Sequence, residues 1–262
     1  MNLLDHGYLD LIETWGSDER IVESARMSTA KGFLGWGPVT KCRQCGDLFE
    51  GPERPCPKPA GVKPLVDCGR GGHLFEDAAG DEKLLKYLAD HKHATPFEFA
   101  GAVFEIQAPI FVFREWHRHR TQSYNEMSAR YTPLPDLNYV PSVERLMVNS
   151  KTNKQAGVVA GAKELTTEVA EQFRSALANQ YRSQQKLYEE ALVTGVPKEL
   201  ARVHLPVGRY SRMRASANLR NWCAFLTLRC DPQAQWEIRQ YADAVRAILA
   251  EKFPRTMELF TV

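Results

Sequence analysis

The residues most able to do chemistry crowd into one stretch, Arg114-Glu-Trp-His-Arg-His-Arg-Thr-Gln-Ser-Tyr-Asn-Glu-Met-Ser-Ala-Arg130. Arg or His fills five of the seven positions from Arg114 to Arg120. In a helix starting near Pro109, Arg114, His117 and Arg118 share a face through their three- and four-residue spacings. Cations near a helix C-terminus gain only ~0.3–1 kcal/mol each. That is too little to explain packing so many beside Phe111, Phe113 and Trp116. The cluster calls for an anion, and guanidinium forks match phosphate oxygens two at a time. Ser123, Asn125, Glu126 and Ser128 add hydroxyl, amide and carboxylate groups suited to a heterocycle and a sugar. The competing reading, a solvated basic helix end followed by a polar loop, suits a lone Arg-His pair better than this density.

A second group is built of cysteines. Cys42-x-x-Cys45 is followed by Cys56, Cys68 and His73 within a Gly- and Pro-rich stretch. A Cys-x-x-Cys turn is a usual half of a tetrahedral zinc site. Cys56 and Cys68 are too widely spaced to form the usual second half. Two readings stand side by side: a structural zinc held by Cys42, Cys45, Cys56 and Cys68 with His73 as substitute ligand, or four reduced thiols on a loop. A metal clip would add most to a loop with no core of its own. Cys223 and Cys230 sit in the apolar blocks NWCAFL and TLRCDP and read as small buried hydrophobes, not nucleophiles.

The elements that must position these groups follow from periodicity and punctuation. Residues 35–80 lack periodicity and read as a loop insertion. Asp81 is the expected cap of a helix over DEKLLKYLADH, with Leu84, Leu85 and Leu88 on one face. FEFAGAVFEIQAP reads as a strand, and Pro109 suits the start of a helix over IFVFREWHRH. Three prolines punctuate a loop over SARYTPLPDLNYVPS. A long helical pattern runs from about Val158 to Val193 through Val169, Phe173, Leu177, Tyr181 and Leu187. Pro197 opens the short helix PKELARVH, and RMRASAN reads as a strand. Asn218 caps NLRNWCAFLTLR, and Asp231-Pro232 opens the last helix, QAQWEIRQYADAVRAILAEKF. Long helices with a few strands predict an α+β fold, read as a single catalytic domain over residues 1–262 carrying the insertion at 35–80.

Composition narrows the function classes. The chain has 262 residues, 44% hydrophobic and 25% charged, so one large core is within reach. A net charge of +2 argues against a general nucleic-acid coat, so anion recognition must be local. The N-terminal MNLLDHGYLDLIETWGSDER has neither the basic start nor the apolar stretch of a signal peptide, and no apolar run approaches the ~20 residues of a membrane span. The expectation is a cytoplasmic protein with reduced or metal-bound cysteines.

Arg118-His119-Arg120, seven residues, then Ser128, set in RHRTQSYNEMSARY, resembles the signature of flavin-dependent thymidylate synthases. HATPFEF (His93 to Phe99), GVPKELAR (Gly195 to Arg202), NLRNWCAFLTLR and DPQAQWEIRQYA resemble further blocks of that family in its order. The likeness covers residues 1–34 and about 81–262 and leaves the Cys-rich insertion unmatched.

The resemblance implies an antiparallel sheet with long helices, a homotetramer with shared active sites, and methylation of dUMP to dTMP. It implies 5,10-methylenetetrahydrofolate as carbon donor, FAD as bound cofactor and NADPH as reductant, with neither a nucleic-acid polymer nor a membrane as partner. Flavin contacts would come from Ser28, Thr95, Glu98, Arg118, His119, Arg120, Glu126, Asn218 and Arg220. The nucleotide would meet Glu115, Arg118, Glu126, Met127, Ser128, Ala129, Arg130, Arg202 and Arg229. Within that set Arg130 and Arg202 would hold phosphate, and Arg229 would stabilise the ionised pyrimidine. His93 would lie where folate or nicotinamide stacks on the flavin. Two positions depart from the pattern: Glu115 stands where Gln is common, and Ala224 where a polar flavin contact is common. Ser128 is read as a nucleotide ligand, since a nucleophilic serine needs an activating base and chain proximity to His119 does not supply one.

Two other classes compete. A zinc-containing nucleic-acid-binding protein would be colourless and bind in a salt-dependent way, against which Glu115 and Glu126 stand among the cations. A flavoprotein that had lost synthase activity would not need Arg130, Arg202 and Arg229.

Overall fold

The computed structural model describes residues 1–29, 32–37, 39–42, 48–50, 75–78, 80–148, 153 and 156–260. In chain order, strands β1 (Asn2–Leu3) and β2 (Gly7–Trp15) lead to helix α1 (Asp18–Arg26). Strands β3 (Val39–Cys42), β4 (Leu48–Glu50) and β5 (Phe75–Ala78) precede helix α2 (Asp81–Asp90). Then come β6 (Gly101–Pro109), α3 (Ile110–Trp116), β7 (Ser123–Glu126), α4 (Val143–Met147), α5 (Thr167–Val193) and α6 (Lys198–Ala201). The chain closes with β8 (Tyr210–Asn218), α7 (Leu219–Arg229), α8 (Trp236–Lys252) and α9 (Pro254–Leu259). By internal contacts the chain divides into two units, one of residues 1–14 and 101–249 and the other of residues 15–100 and 250–261.

The first unit is built on a five-stranded sheet of order β1-β2-β6-β8-β7, in which β6 and β7 both pair antiparallel with β8. This is the α+β architecture expected. Alternation decides which face is covered: Phe104, Ile106, Met213 and Ala215 are buried, while Glu105 and Arg214 on the other face pair at 3.0 Å. Over the covered face lie Trp116 of α3, Trp222 and Phe225 of α7 and Tyr241 of α8, all fully buried. Their rings meet edge-on or tilted, Phe104–Trp222 at 5.1 Å and Trp116–Phe225 at 4.6 Å. The Trp222 indole N–H donates to the carbonyl of Ala102 at 3.0 Å, tying α7 to β6. Asn218 caps α7 as expected, its Oδ1 accepting from the Asn221 N–H at 3.0 Å.

Several boundaries differ from the sequence reading. Helix α3 ends at Trp116, short of His119, because the chain turns there. The Tyr124 hydroxyl donates to the carbonyls of Trp116 (3.1 Å) and His119 (2.7 Å), and the Trp116 indole N–H donates to Gln122 Oε1 at 3.0 Å. Arg118 therefore follows the helix instead of lying on its face. Residues Thr95–Phe99 form a 3-10 turn in place of the start of a strand, consistent with Pro96 near its beginning. The long helix begins at Thr167, capped by Thr166, whose Oγ1 accepts from the Val169 N–H.

In the second unit, β3, β4 and β5 form an antiparallel sheet of order β4-β3-β5 inside the stretch read as loop. Alternation too short to register as a pattern is enough once two neighbours supply ladder bonds. The base of that stretch is pinched shut. Asp81 does not cap α2 with its side chain, since Gly80 holds the cap position. Its buried carboxylate instead accepts from Arg26 Nε (2.9 Å) and from the Leu34 N–H (2.7 Å), while its own N–H donates to the Gly35 carbonyl at 2.9 Å. A Cβ on Gly80 would lie 2.2 Å from the Gly37 carbonyl oxygen, so this approach requires glycine. Cys45, Cys56, Cys68 and His73, and with them the zinc reading, lie outside the described residues.

Candidate active site

The end of α7 delivers Arg229 to the turn that follows α3, and three bonds hold it there. Its Nη1 donates to Glu115 Oε2 at 2.6 Å, its Nη2 to the Glu115 carbonyl at 2.7 Å, and its Nε to His119 Nε2 at 2.9 Å. Arg229 is thus a mostly buried cation whose direction is set before any ligand arrives. Packing of α7 and α3 over the sheet, through Trp116, Trp222 and Phe225, brings these positions together across more than 100 residues of chain.

The same bonds define the state of His119. Because Arg229 Nε can only donate, His119 Nε2 accepts, so the ring is neutral with its proton on Nδ1. Burial pulls its pKa down to about 4, the Arg229 charge pushes the same way, and Glu115 opposes. The ring packs edge-on to Phe225 at 4.8 Å. His119 is not bonded to Ser128. The Ser128 hydroxyl accepts from the Arg130 N–H at 3.3 Å, and the Ser128 carbonyl accepts from the Tyr131 and Thr132 N–H groups. No base therefore activates this serine within the described residues of one chain.

Two cavities flank Glu115. One, of about 650 Å³, is lined by Phe111, Arg114, Glu115, Arg118, Tyr139 and Arg145 among others. The other, of about 730 Å³, is lined by Glu115, Arg145, Arg229, Trp236 and Arg239 among others. Arg145 in their shared wall is pinned to α8. Its Nε and Nη2 donate to the two carboxylate oxygens of buried Glu237 at 2.8 and 3.2 Å, and the Tyr139 hydroxyl donates to Glu237 at 3.0 Å. Sequence reasoning missed this brace. Arg145 and Glu237 lie 92 residues apart with no local motif to link them.

The other singled-out residues fall into separate groups. Glu126 and Met127 line a cavity of about 370 Å³ with Asn125, Arg212 and Arg214 at the β7–β8 edge. The Met127 N–H extends that ladder to the Arg212 carbonyl at 2.8 Å. Ala129 is buried, while Arg130 reaches out to Glu199 at 3.3 Å, both side chains more than half exposed. Arg202 follows α6 directly. Asn218 and Arg220 open α7, and Arg118 and Arg120 are exposed. In the second unit Ser28 is exposed in the turn after α1, its hydroxyl donating to the Ala25 carbonyl at 3.0 Å. Thr95 and Glu98 lie in the 3-10 turn, and exposed His93 sits with its ring 5.7 Å from that of Tyr87, itself stacked on His91 at 4.0 Å.

The remaining cysteines are inert by their surroundings. Burial raises the Cys223 thiol to about 12 and that of Cys230 to about 11, so neither is a thiolate at neutral pH. Ala224 is exposed on α7.

The family model described as thymidylate synthase complementing protein matches residues 10–255. A flavin-dependent thymidylate synthase of Thermosipho africanus is 34% identical over 258 residues, covering 98% of this chain and 92% of that protein. That of Thermus thermophilus is 35% identical over 261 residues, 98% of this chain and 77% of that protein. Among solved structures, a UMP/dUMP methylase, PolB, from Streptomyces cacaoi bound with 5-Br UMP superposes with a TM-score of 0.71 at 27% identity, over 100% of this chain and 96% of that one.

Proposed function

This chain belongs to the flavin-dependent thymidylate synthase family, and we propose that its own residues divide the work of that reaction as follows. The reaction is reductive methylation of dUMP to dTMP, with 5,10-methylenetetrahydrofolate as carbon donor and NADPH-reduced FAD as hydride donor. The observation that carries the assignment of residues is the triple anchoring of Arg229 beside a cavity. A cation fixed in advance stabilises charge developing on the pyrimidine without reorganising during the reaction. Arg229 is thus the catalytic arginine, Glu115 and neutral His119 are its braces, and Ser128 is a nucleotide ligand.

The residues present suit a flavin. Arg118 and Arg120 expose guanidinium groups that make no ion pair among the described residues, as a pyrophosphate requires, and Ser28, Thr95 and Asn218 add short polar groups. Glu98, His119, Glu126 and Arg220 complete the proposed flavin set, and His93 the surface for folate or nicotinamide. When bound, FAD supplies hydride chemistry that no side chain here can perform. Glu115, Arg118, Glu126, Met127, Ser128, Ala129, Arg130 and Arg202 join Arg229 around the nucleotide, with Arg130 and Arg202 on phosphate.

Neither Arg130 nor Arg202 lines the cavities that hold Glu115, Arg118 and Arg229. This supports an active site shared between chains of a homotetramer. So do Val169, Phe173 and Leu187, large apolar side chains that α5 leaves about half exposed. No helix among the described residues is long and apolar enough to cross a membrane, and a cytoplasmic location is part of the reading.

The test is dTMP formation, followed by mass spectrometry. Protein is incubated anaerobically with FAD, NADPH, methylenetetrahydrofolate and dUMP, with UMP run alongside and Arg229→Ala as control. Product that disappears in the control supports the assignment. Bound flavin without product from either nucleotide overturns it.

A further inference from the structure

Arg209, just ahead of β8, is 1% exposed and forms no ion pair among the described residues. Its Nη2 donates to the Leu134 carbonyl at 3.1 Å, and its guanidinium carbon lies 5.7 Å from the centre of the Tyr188 ring. Its Nε–H has no partner among the described residues, and neither has the hydroxyl of Tyr188, itself 1% exposed on α5. One turn back along α5, on the same face, the buried Oε1 atoms of Gln184 and Gln185 are unpartnered too. Gln185 is fixed that way round, since its Nε2 donates to Glu189 at 2.6 Å. Gln184 is not so fixed: its Nε2 makes no bond among the described residues, and its amide can turn over to present a donor inward. The chain before β8 is pressed against this face of α5. His204 Nε2 donates to the Gln184 carbonyl at 2.9 Å, and a Cβ on Gly208 would lie 2.5 Å from the Tyr181 hydroxyl.

Buried polar groups are nearly always hydrogen-bonded, to protein or to ordered water. Water would satisfy the hydrogen bonds at this place but not the charge. Arginine cannot shed its proton to escape burial, and an unpaired buried charge is among the costliest features a fold can carry. Burial pulls the Arg209 pKa below its ordinary value, and the exposed Asp136 and Glu189 carboxylates oppose this without pairing with it. We propose that the Arg209 Nε–H and the Tyr188 hydroxyl hold a small monovalent anion, of the size of chloride, between α5 and the start of β8. One negative charge matches one guanidinium, both named groups are donors, and Gln184 with its amide turned adds a third. Side chains so fully buried suit a single-atom ion better than a phosphate or a carboxylate that brings bulk with it. Neither Arg209 nor Tyr188 lines the cavities around Glu115 and Arg229, so this site is separate from the proposed nucleotide site. It lies behind the loop that follows Arg130. The same guanidinium holds the Leu134 carbonyl, and Arg209 bridges Asn138, so a bound anion would tie that loop to α5.

The FAD-loaded protein is crystallised with bromide as the only halide, and its thermal midpoint is followed as bromide or chloride replaces gluconate at constant ionic strength. The expected results are an anomalous bromide peak at hydrogen-bonding distance from Arg209 Nε and the Tyr188 hydroxyl, and a midpoint that climbs with halide. Above the halide Kd the climb should be about 3–5 °C for each tenfold rise in concentration. Arg209→Met removes the charge while filling the space, and is expected to unfold at a midpoint indifferent to halide. Tyr188→Phe removes only the hydroxyl, keeps the fold, and is expected to raise the halide Kd at least about tenfold. A wild-type midpoint indifferent to the anion supplied overturns the proposal, as does an unchanged halide dependence in Tyr188→Phe. Water, or a carboxylate of a second copy of the chain, in place of bromide beside Arg209 also overturns it. A bromide peak without halide-dependent stability is an adventitious ion only, and overturns it too.

Discussion

Arg229, which α7 brings to the turn after α3, and Arg130, in the turn after β7, are cations of the same kind built into the molecule in opposite ways. Around Arg229 three donors are already spent on a carboxylate, a carbonyl and an imidazole of the same chain, the last packed edge-on to Phe225. Around Arg130 the structure is open, with one exposed ion pair to Glu199 and one turn closed by Ser128. The first region has its charge in place before a ligand binds. The second shares its charge only with an exposed carboxylate among the described residues. Preorganisation suits charge that develops during a reaction, whereas an exposed fork suits a phosphate that only has to be held.

Substitutions separate the two designs. The largest effect is expected where a buried charge is stranded. Glu237→Ala leaves Arg145 without its carboxylate in the wall of both cavities, and urea titration is expected to show a loss of about 3–5 kcal/mol. Next is Arg229→Ala, expected to lower single-turnover dTMP formation by about 10²–10³, the size seen when one fixed donor to developing charge is removed. Comparable loss from Arg130→Ala would erase the distinction between the regions. Arg130→Ala is instead expected to raise the nucleotide KM about tenfold and leave the rate at saturation near wild type. Glu199→Ala, which removes only an exposed partner, should change stability by less than about 1 kcal/mol in the same titration.

Acid should also find the braced region first. His119 titrates near pH 4 in the folded protein, below its ordinary 6.5, so the unfolded chain binds the extra proton more readily. The stabilisation from its neutral form is therefore complete above about pH 6.5 and is lost as pH falls towards 4. Urea midpoints measured across that window should fall less steeply in His119→Gln, which cannot be protonated there. An unchanged slope would mean that the imidazole is not what couples the site to pH.

Much of this was legible along the chain. Asn218 announced the start of α7 because a cap is a local bond, three residues long. The strand at RMRASAN and the long helix ending at Val193 were readable from alternation and period. The strands β3 to β5 were not, since pieces of three or four residues carry too little pattern and exist through their pairing. Asp81 misled for a related reason. It stands where a capping residue belongs, but Arg26 and the Leu34 N–H, 55 and 47 residues away, compete for its carboxylate and win.

The candidate site divides in the same way. The types and spacing of Arg118, His119, Arg120 and Ser128 were enough to imply an anion, a heterocycle and a family, because those depend on which groups are present. The division of labour among them depends on which group points at which, and only the tertiary structure decided that. Packing of α7 against α3 turned Arg229 onto Glu115 and His119, made the imidazole an acceptor and withheld it from Ser128. Each of those outcomes is a hydrogen bond across more than 100 residues or a competitor for one. Hydrogen bonds are decided within a few tenths of an ångström, a precision that sequence spacing carries along a helix or strand but not between them.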